Sequence, residues 1–164
     1  MTKHRSRGIR ASADALARTR PQQAYDISGP LDPTRFYPRF WPLPGVVEVR
    51  DQTGEWSAVG RTRTLMLSDG GHVVETITDT QSPALFAYEL SDFRKLFGSL
   101  VSGARAEWRF EPHQGGSIIR WSYTFFARQG RGWIVWLIVR IWWSRYMRRV
   151  LPPIAREIDN VAAL

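Results

Sequence analysis

The spacing of apolar and polar positions changes period along the chain, and each change marks a different element. From Ile9 to Ala17, small or apolar residues (Ile9, Ala11, Ala13, Ala15, Ala17) alternate with polar ones and predict a first strand. Pro21 opens a short helix through Tyr25 and Ile27, because the first helical position needs no amide hydrogen. A second short helix is expected near Leu31 to Tyr37, with Asp32 as its N-cap and Pro33 behind it. Pro38, Pro42, Pro44 and Gly45 then forbid regular structure. A period of two follows, and it predicts six strands at Val46–Arg50, Arg61–Leu67, Val73–Asp79, Leu85–Ser91, Ala104–Glu111 and Ile118–Ala127. The short turns between them favour antiparallel neighbours joined as a meander. The stretch from Phe93 to Val101 breaks the alternation and reads as an apolar flap around Gly98. From Gly132 to Leu151 the period is helical; Pro152–Pro153 is expected to kink or stop that helix, and Ile154 to Leu164 to resume it.

Sorting these elements by face gives two aromatic surfaces. On the strands, Trp121, Tyr123 and Phe125 share one side, as do Trp108 and Phe110, and as do Phe86 and Tyr88. At 100° per residue, Trp136, Val139, Trp143, Tyr146, Met147 and Val150 gather on one side of the helix. Large rings facing one another across two layers are hard to interdigitate without a void, which favours a cavity over a solid core. Two charged residues fall where apolar ones are expected: Glu75, between Val73 and Ile77, and Arg140, at the edge of the helix's inner face. An unpaired buried charge is costly, so these two either pair, or line the cavity and bind a polar group, or Arg140 reaches solvent along its stem. Ile134, Ile138 and Ile141 fall on the opposite side of the helix, next to Arg145, Arg148 and Arg149, and suggest a dimer contact or a membrane-surface contact.

Composition narrows the function without naming it. The chain of 164 residues is 43% hydrophobic and 13% aromatic, enough for one well-packed domain, expected over residues 9–164 behind a disordered basic tail at 1–8. It has no cysteine, which excludes disulfides, thiolate metal sites and cysteine nucleophiles, and fits a reducing cytoplasm. The formal charge of +8 is concentrated near the two ends of the chain, in residues 1–20 and 128–149. The aromatics lie on inner faces instead of alternating with these basic residues, so no nucleic-acid partner is expected. Trp133 to Trp143 is well short of the roughly 20 apolar residues that cross a bilayer. His4, His72 and His113 lie far apart in a tail and two turns, and no phosphate loop, metal spacing or nucleophile elbow is present. No metal or cofactor is expected.

Several stretches carry a likeness to a known family: Pro42 to Arg50, Thr62 to Asp69, Val74 to Thr78, Phe86 to Tyr88, Trp108 to Phe110, Ile119 to Phe125 and Arg145 to Arg149. Together they make the chain resemble the START-like helix-grip superfamily (SRPBCC), and within it the bacterial polyketide cyclase/dehydratase-type proteins. The resemblance implies an α+β fold in which a seven-stranded curved antiparallel sheet grips a long C-terminal helix, with two short helices after the first strand and a ligand cavity inside. It also implies binding, and in some members transport, of hydrophobic or amphipathic molecules such as lipids or polyketide-like compounds. On that reading Trp108, Phe110, Trp121, Tyr123 and Phe125 line the cavity from the sheet and Trp136, Trp143 and Met147 from the helix. Arg140 and Glu75 fix a polar end. The alternative is a cyclase- or dehydratase-type enzyme using Glu75 or Tyr88 for proton transfer, oriented by Arg140. A third reading, ranked last, is a peripheral membrane or interaction module. The first strand departs from the family in its wealth of alanine and arginine.

Overall fold

The computed structural model describes residues 8–164, so apart from Gly8 the expected N-terminal tail lies outside the described residues. Strand β1 (Ile9–Ala17) is followed by helices α1 (Pro21–Ser28) and α2 (Pro33–Phe36). Strands β2 (Val46–Arg50), β3 (Thr62–Leu67), β4 (His72–Gln81) and β5 (Leu85–Ser91) come next. Helix α3 (Lys95–Leu100) separates them from β6 (Val101–His113) and β7 (Gly116–Ala127). The chain ends in one long helical run, made of α4 (Gly132–Ile138), a π-helical turn (Val139–Trp143) and α5 (Ser144–Ala162). All seven strands form one antiparallel sheet in the order β1-β7-β6-β5-β4-β3-β2. The meander is β2 to β7, and β1 returns to close its far edge beside β7. This is the helix-grip α+β architecture, and the stretch read as an apolar flap, Phe93 to Val101, contains the short helix α3.

The alanines of β1 have a packing reason. Ala11, Ala13 and Ala17 are buried where α5 lies against this edge, and side chains without bulk let helix and strand backbones approach closely. The contact is pinned at its end by Asp159. Its carboxylate accepts hydrogen bonds from the backbone N–H of Arg18 (3.1 Å) and Thr19 (3.0 Å) and from the Thr19 hydroxyl (2.6 Å).

Two expectations about the C-terminal helix are corrected. Pro152 and Pro153 neither stop nor divide it: α5 continues through both to Ala162. The carbonyls that these prolines leave without amide partners belong to Arg148 and Arg149, residues exposed to water that can satisfy them. The second correction concerns phase. The π-helical turn inserts one extra residue, accompanied by a bond from the Ser144 hydroxyl to the Val139 carbonyl five residues back (2.9 Å). Upstream of it the inward position moves from Trp136 to Val135, which is buried, whereas Trp136 is 51% exposed.

Candidate functional site

The inner faces of β3, β4, β5 and β7 meet the helical run and α3 around a cavity of about 90 Å³. A smaller one of about 40 Å³ lies beside it, and Tyr37, Arg63 and Tyr88 belong to the walls of both. Strand alternation sets most of the main wall: Arg63, Leu65 and Leu67 from β3, Val73 and Glu75 from β4, Tyr88 and Leu90 from β5, and Trp121, Tyr123 and Phe125 from β7. The π-helical turn contributes Trp143, α5 contributes Tyr146, and Phe93 and Phe97 close the flap side. The flap is tied down by Arg128, whose Nε donates to the Gly98 carbonyl at 2.7 Å.

At the polar end, Arg63 and Glu75 face each other on neighbouring strands. Arg63 Nε donates to Glu75 Oε2 at 2.7 Å, both side chains are buried, and the guanidinium lies 4.0 Å from the Trp56 ring centroid. The buried charges therefore satisfy each other, and the indole face adds a cation–π contact. Four phenols surround this pair or the helix wall. Burial pushes Tyr37, Tyr88, Tyr123 and Tyr146 above the ordinary tyrosine range, and the negative charge of Glu75 adds to the push on the first three. All four stay neutral at physiological pH and serve as hydroxyl donors and acceptors. The site is thus an apolar chamber with neutral polar groups and one self-neutralised ion pair.

The structure gathers six of the expected site residues around the main cavity: Glu75, Tyr88, Trp121, Tyr123, Phe125 and Trp143. Trp108 lines the smaller one and stacks on Trp121 with centroids 5.1 Å apart. Phe110 and Met147 are buried in the surrounding core and touch neither chamber, Phe110 packing edge-on against Tyr25. Trp136 and Arg140 lie outside, with the Arg140 guanidinium over the Trp136 ring at 5.6 Å; the added residue of the π-helical turn accounts for the displacement. Glu75 accordingly pairs with Arg63 and not with Arg140. The suggested isoleucine strip is also corrected: Ile134 and Ile138 pack against the core, Ile141 is half-buried, and the exposed apolar residues of α4 are Trp133, Trp136 and Leu137.

Sequence reasoning missed Tyr37, Trp56, Arg63 and Tyr146 as site residues. Arg63 carried a usable signal, since it shares the parity of Leu65 and Leu67, and the charge expected opposite Glu75 had to be basic. Tyr146 stood on the predicted inner helix face. Tyr37 and Trp56 sit in irregular segments where no period exists to assign a face.

Solved structures share this fold. Norcoclaurine synthase from Thalictrum flavum superposes with a TM-score of 0.67 at 10% identity, covering 99% of this chain and 95% of that one. The protein XoxI from Bacillus cereus gives 0.64 at 14% identity over 93% and 97% of the two chains. Ara h 8.0201 gives 0.60 at 15% identity over 94% and 99%. At these identities the likeness is one of fold. No curated protein matches the sequence significantly. The sequence profile of the family described as polyketide cyclase / dehydrase and lipid transport matches residues 9–159, and the chain with its gripped helix and inner chamber belongs to that family.

Proposed function

We propose that this protein binds a compact hydrophobic or amphipathic small molecule between the sheet and the long helix. The observation that carries this reading is a chamber walled by aromatic and aliphatic side chains, with a few convergent polar groups at one end. Its volume bears on the ligand. An apolar cavity of about 150 Å³ holds benzene, so the chamber of about 90 Å³ takes a chain segment as it stands and a single ring only with a small outward shift of α3. A lipid-sized ligand requires α3 to move. Native mass spectrometry of the purified protein, followed by extraction of whatever co-purifies, tests the reading. A bound small molecule that Tyr123→Ala releases supports it; a molecule retained unchanged in that variant overturns the site. Binding ranks ahead of catalysis because Glu75 is engaged by Arg63 and the tyrosines are held neutral. A cyclase- or dehydratase-type reaction would draw on Glu75 and Tyr88, which share one wall.

A second reading, peripheral contact with an anionic membrane, is favoured by one surface feature. Trp133, Trp136, Leu137 and Arg140 fall at i, i+3, i+4 and i+7 and are all exposed. Arg128 and Arg131 are exposed just before them, so aromatic and basic groups face outward together. Flotation with phosphatidylcholine vesicles, with and without 30% phosphatidylserine by design, tests it; binding that ignores both serine lipid and Trp133→Ala counts against it. Among the described residues no helix is long and apolar enough to cross a membrane.

A further inference from the structure

Two rings that line the main chamber carry buried donors that the protein itself does not use. The indole Nε1 atoms of Trp121 and Trp143 are buried and have no hydrogen-bond partner among the described residues. Both side chains line the cavity, with ring centroids 6.4 Å apart in an edge-to-face arrangement. The neighbouring Trp108 differs: its Nε1 reaches the Tyr88 hydroxyl at 3.5 Å. Burying an indole N–H without a partner costs about 1–3 kcal/mol, and native interiors rarely leave such groups unpaired.

Resting on the ligand-binding reading above, we propose that the ligand carries at least one acceptor oxygen, held by the indole N–H groups of Trp121 and Trp143. Indole only donates, so its partner has to accept. The chemistry of the walls narrows the acceptor further. The one guanidinium in the chamber, that of Arg63, is already committed to Glu75 and Trp56. The surrounding phenols are neutral and supply no countercharge. An anionic ligand would therefore be buried without compensation, and so would a cation, because the one carboxylate of the walls, Glu75, is already paired with Arg63. What fits is an uncharged molecule with a carbonyl, ester or ether oxygen on a compact, largely apolar frame. Edge contacts of Trp121 with Tyr37 and Tyr123, at 5.8 and 6.0 Å, return only part of a lost hydrogen bond.

The test uses two probes of nearly the same shape, acetophenone and α-methylstyrene, which differ by a carbonyl oxygen in place of a methylene. Their affinities are measured by quenching of intrinsic tryptophan fluorescence and checked by calorimetry. The readout is the ketone-to-alkene affinity ratio, because its change on mutation cancels the difference in water solubility. Relative to the wild type, the ratio is expected to fall about tenfold in Trp121→Phe/Trp143→Phe and by less in each single variant. Binding of α-methylstyrene, which uses neither donor, reports the change in chamber size that the substitutions bring, and the ratio cancels it. Trp41→Phe, which removes an exposed indole that lies outside both cavities, should leave the ratio unchanged. A ratio that is the same in wild type and double variant, with the alkene still bound, overturns the acceptor proposal while leaving the cavity reading in place. Failure of the wild type to bind either probe overturns the cavity reading, and the proposal with it. Should the double variant not fold, Trp143→Phe alone decides, since Trp143 is the less buried of the two.

Discussion

One helical run packs against the two sides of the sheet in opposite ways. Along β1 it meets Ala11, Ala13 and Ala17, approaches closely and is bolted at its end by Asp159. Across the middle of β7 it meets Trp121, Tyr123 and Phe125 through Trp143, and a chamber of about 90 Å³ remains between these rings and Arg63 and Tyr88. Small residues make a dry seam because nothing holds the backbones apart. Rigid rings, two of them already locked edge-to-face with Trp143, cannot collapse to fill what is left between them. The contrast teaches that the pocket is a consequence of residue size on one half of the sheet, supported by firm packing on the other. Enlarging or disconnecting groups should therefore have opposite consequences on the two sides.

The largest expected effect lies at the polar end of the chamber. Glu75→Leu leaves Arg63 charged and buried without its partner, and should cost about 3–5 kcal/mol in urea-induced unfolding. Glu75→Leu combined with Arg63→Leu removes both charges and should recover most of that loss. Equal losses in single and double variants would mean that the pair is not a coupled, desolvated unit. Next in size comes a matched enlargement on each side. Ala13→Leu forces bulk into the seam between β1 and α5 and should destabilise by about 1–3 kcal/mol. Leu65→Phe grows into the open chamber, so it should cost well under about 1.5 kcal/mol yet weaken binding of a one-ring probe such as acetophenone. If the two enlargements cost the same, the seam and the chamber are packed alike and the contrast fails.

The bolt at the end of the seam ranks third. Burial pushes the Asp159 carboxyl up, but hydrogen bonds from Thr19 and the Arg18 backbone outweigh that and hold it below the ordinary carboxylate range. A carboxyl depressed on folding contributes stability in full above its unfolded value, and that contribution disappears as pH falls through the folded value. Asp159→Asn should accordingly destabilise by about 1–2 kcal/mol at neutral pH. The gap between variant and wild type should shrink below about pH 4, as seen by thermal unfolding across pH. A gap that persists at low pH would assign the loss to geometry and not to charge.

How much of this was legible beforehand depends on whether a residue sits on a periodic element. The alternation of β7 and β6 carries the faces of Trp121, Tyr123, Phe125 and Trp108 unambiguously, and the same rule finds Glu75. Trp136 and Arg140 mislead because a helical wheel assumes an unbroken 3.6-residue turn, and the π-helical turn adds a residue that no hydrophobic pattern announces. Pro152 and Pro153 mislead for a related reason, since a breaker signal is local whereas the packing of Leu151, Ile154 and Ile158 that sustains α5 is not. Tyr37 is held where Gly45, at the entry to β2, lets the chain pass close to residues 37–39. A Cβ at that glycine would lie 2.4 Å from the Arg39 amide nitrogen, and Val46 N–H donates to the Tyr37 carbonyl at 2.9 Å. Long-range contacts of that kind leave no trace in a single sequence.

The smallest expected effect on stability is the most informative about access to the chamber. Gly98 sits in α3 so close to the preceding turn that a Cβ there would lie 2.2 Å from the Phe93 carbonyl oxygen. Gly98→Ala must therefore push α3 away from Phe93, and Phe93 and Phe97 are the residues that close the chamber on that side. Few groups of the seam or of the ion pair depend on this turn, so global unfolding should shift by less than about 1 kcal/mol. Local opening should respond more: amide exchange over residues 93–101 should quicken, and a bound one-ring probe should dissociate several-fold faster with its association accelerated as well. Faster exchange without faster dissociation would mean that ligands reach the chamber by another path, such as the gap by the smaller cavity between α1, α2 and Trp56. The flap would then be a wall of the pocket and not its door.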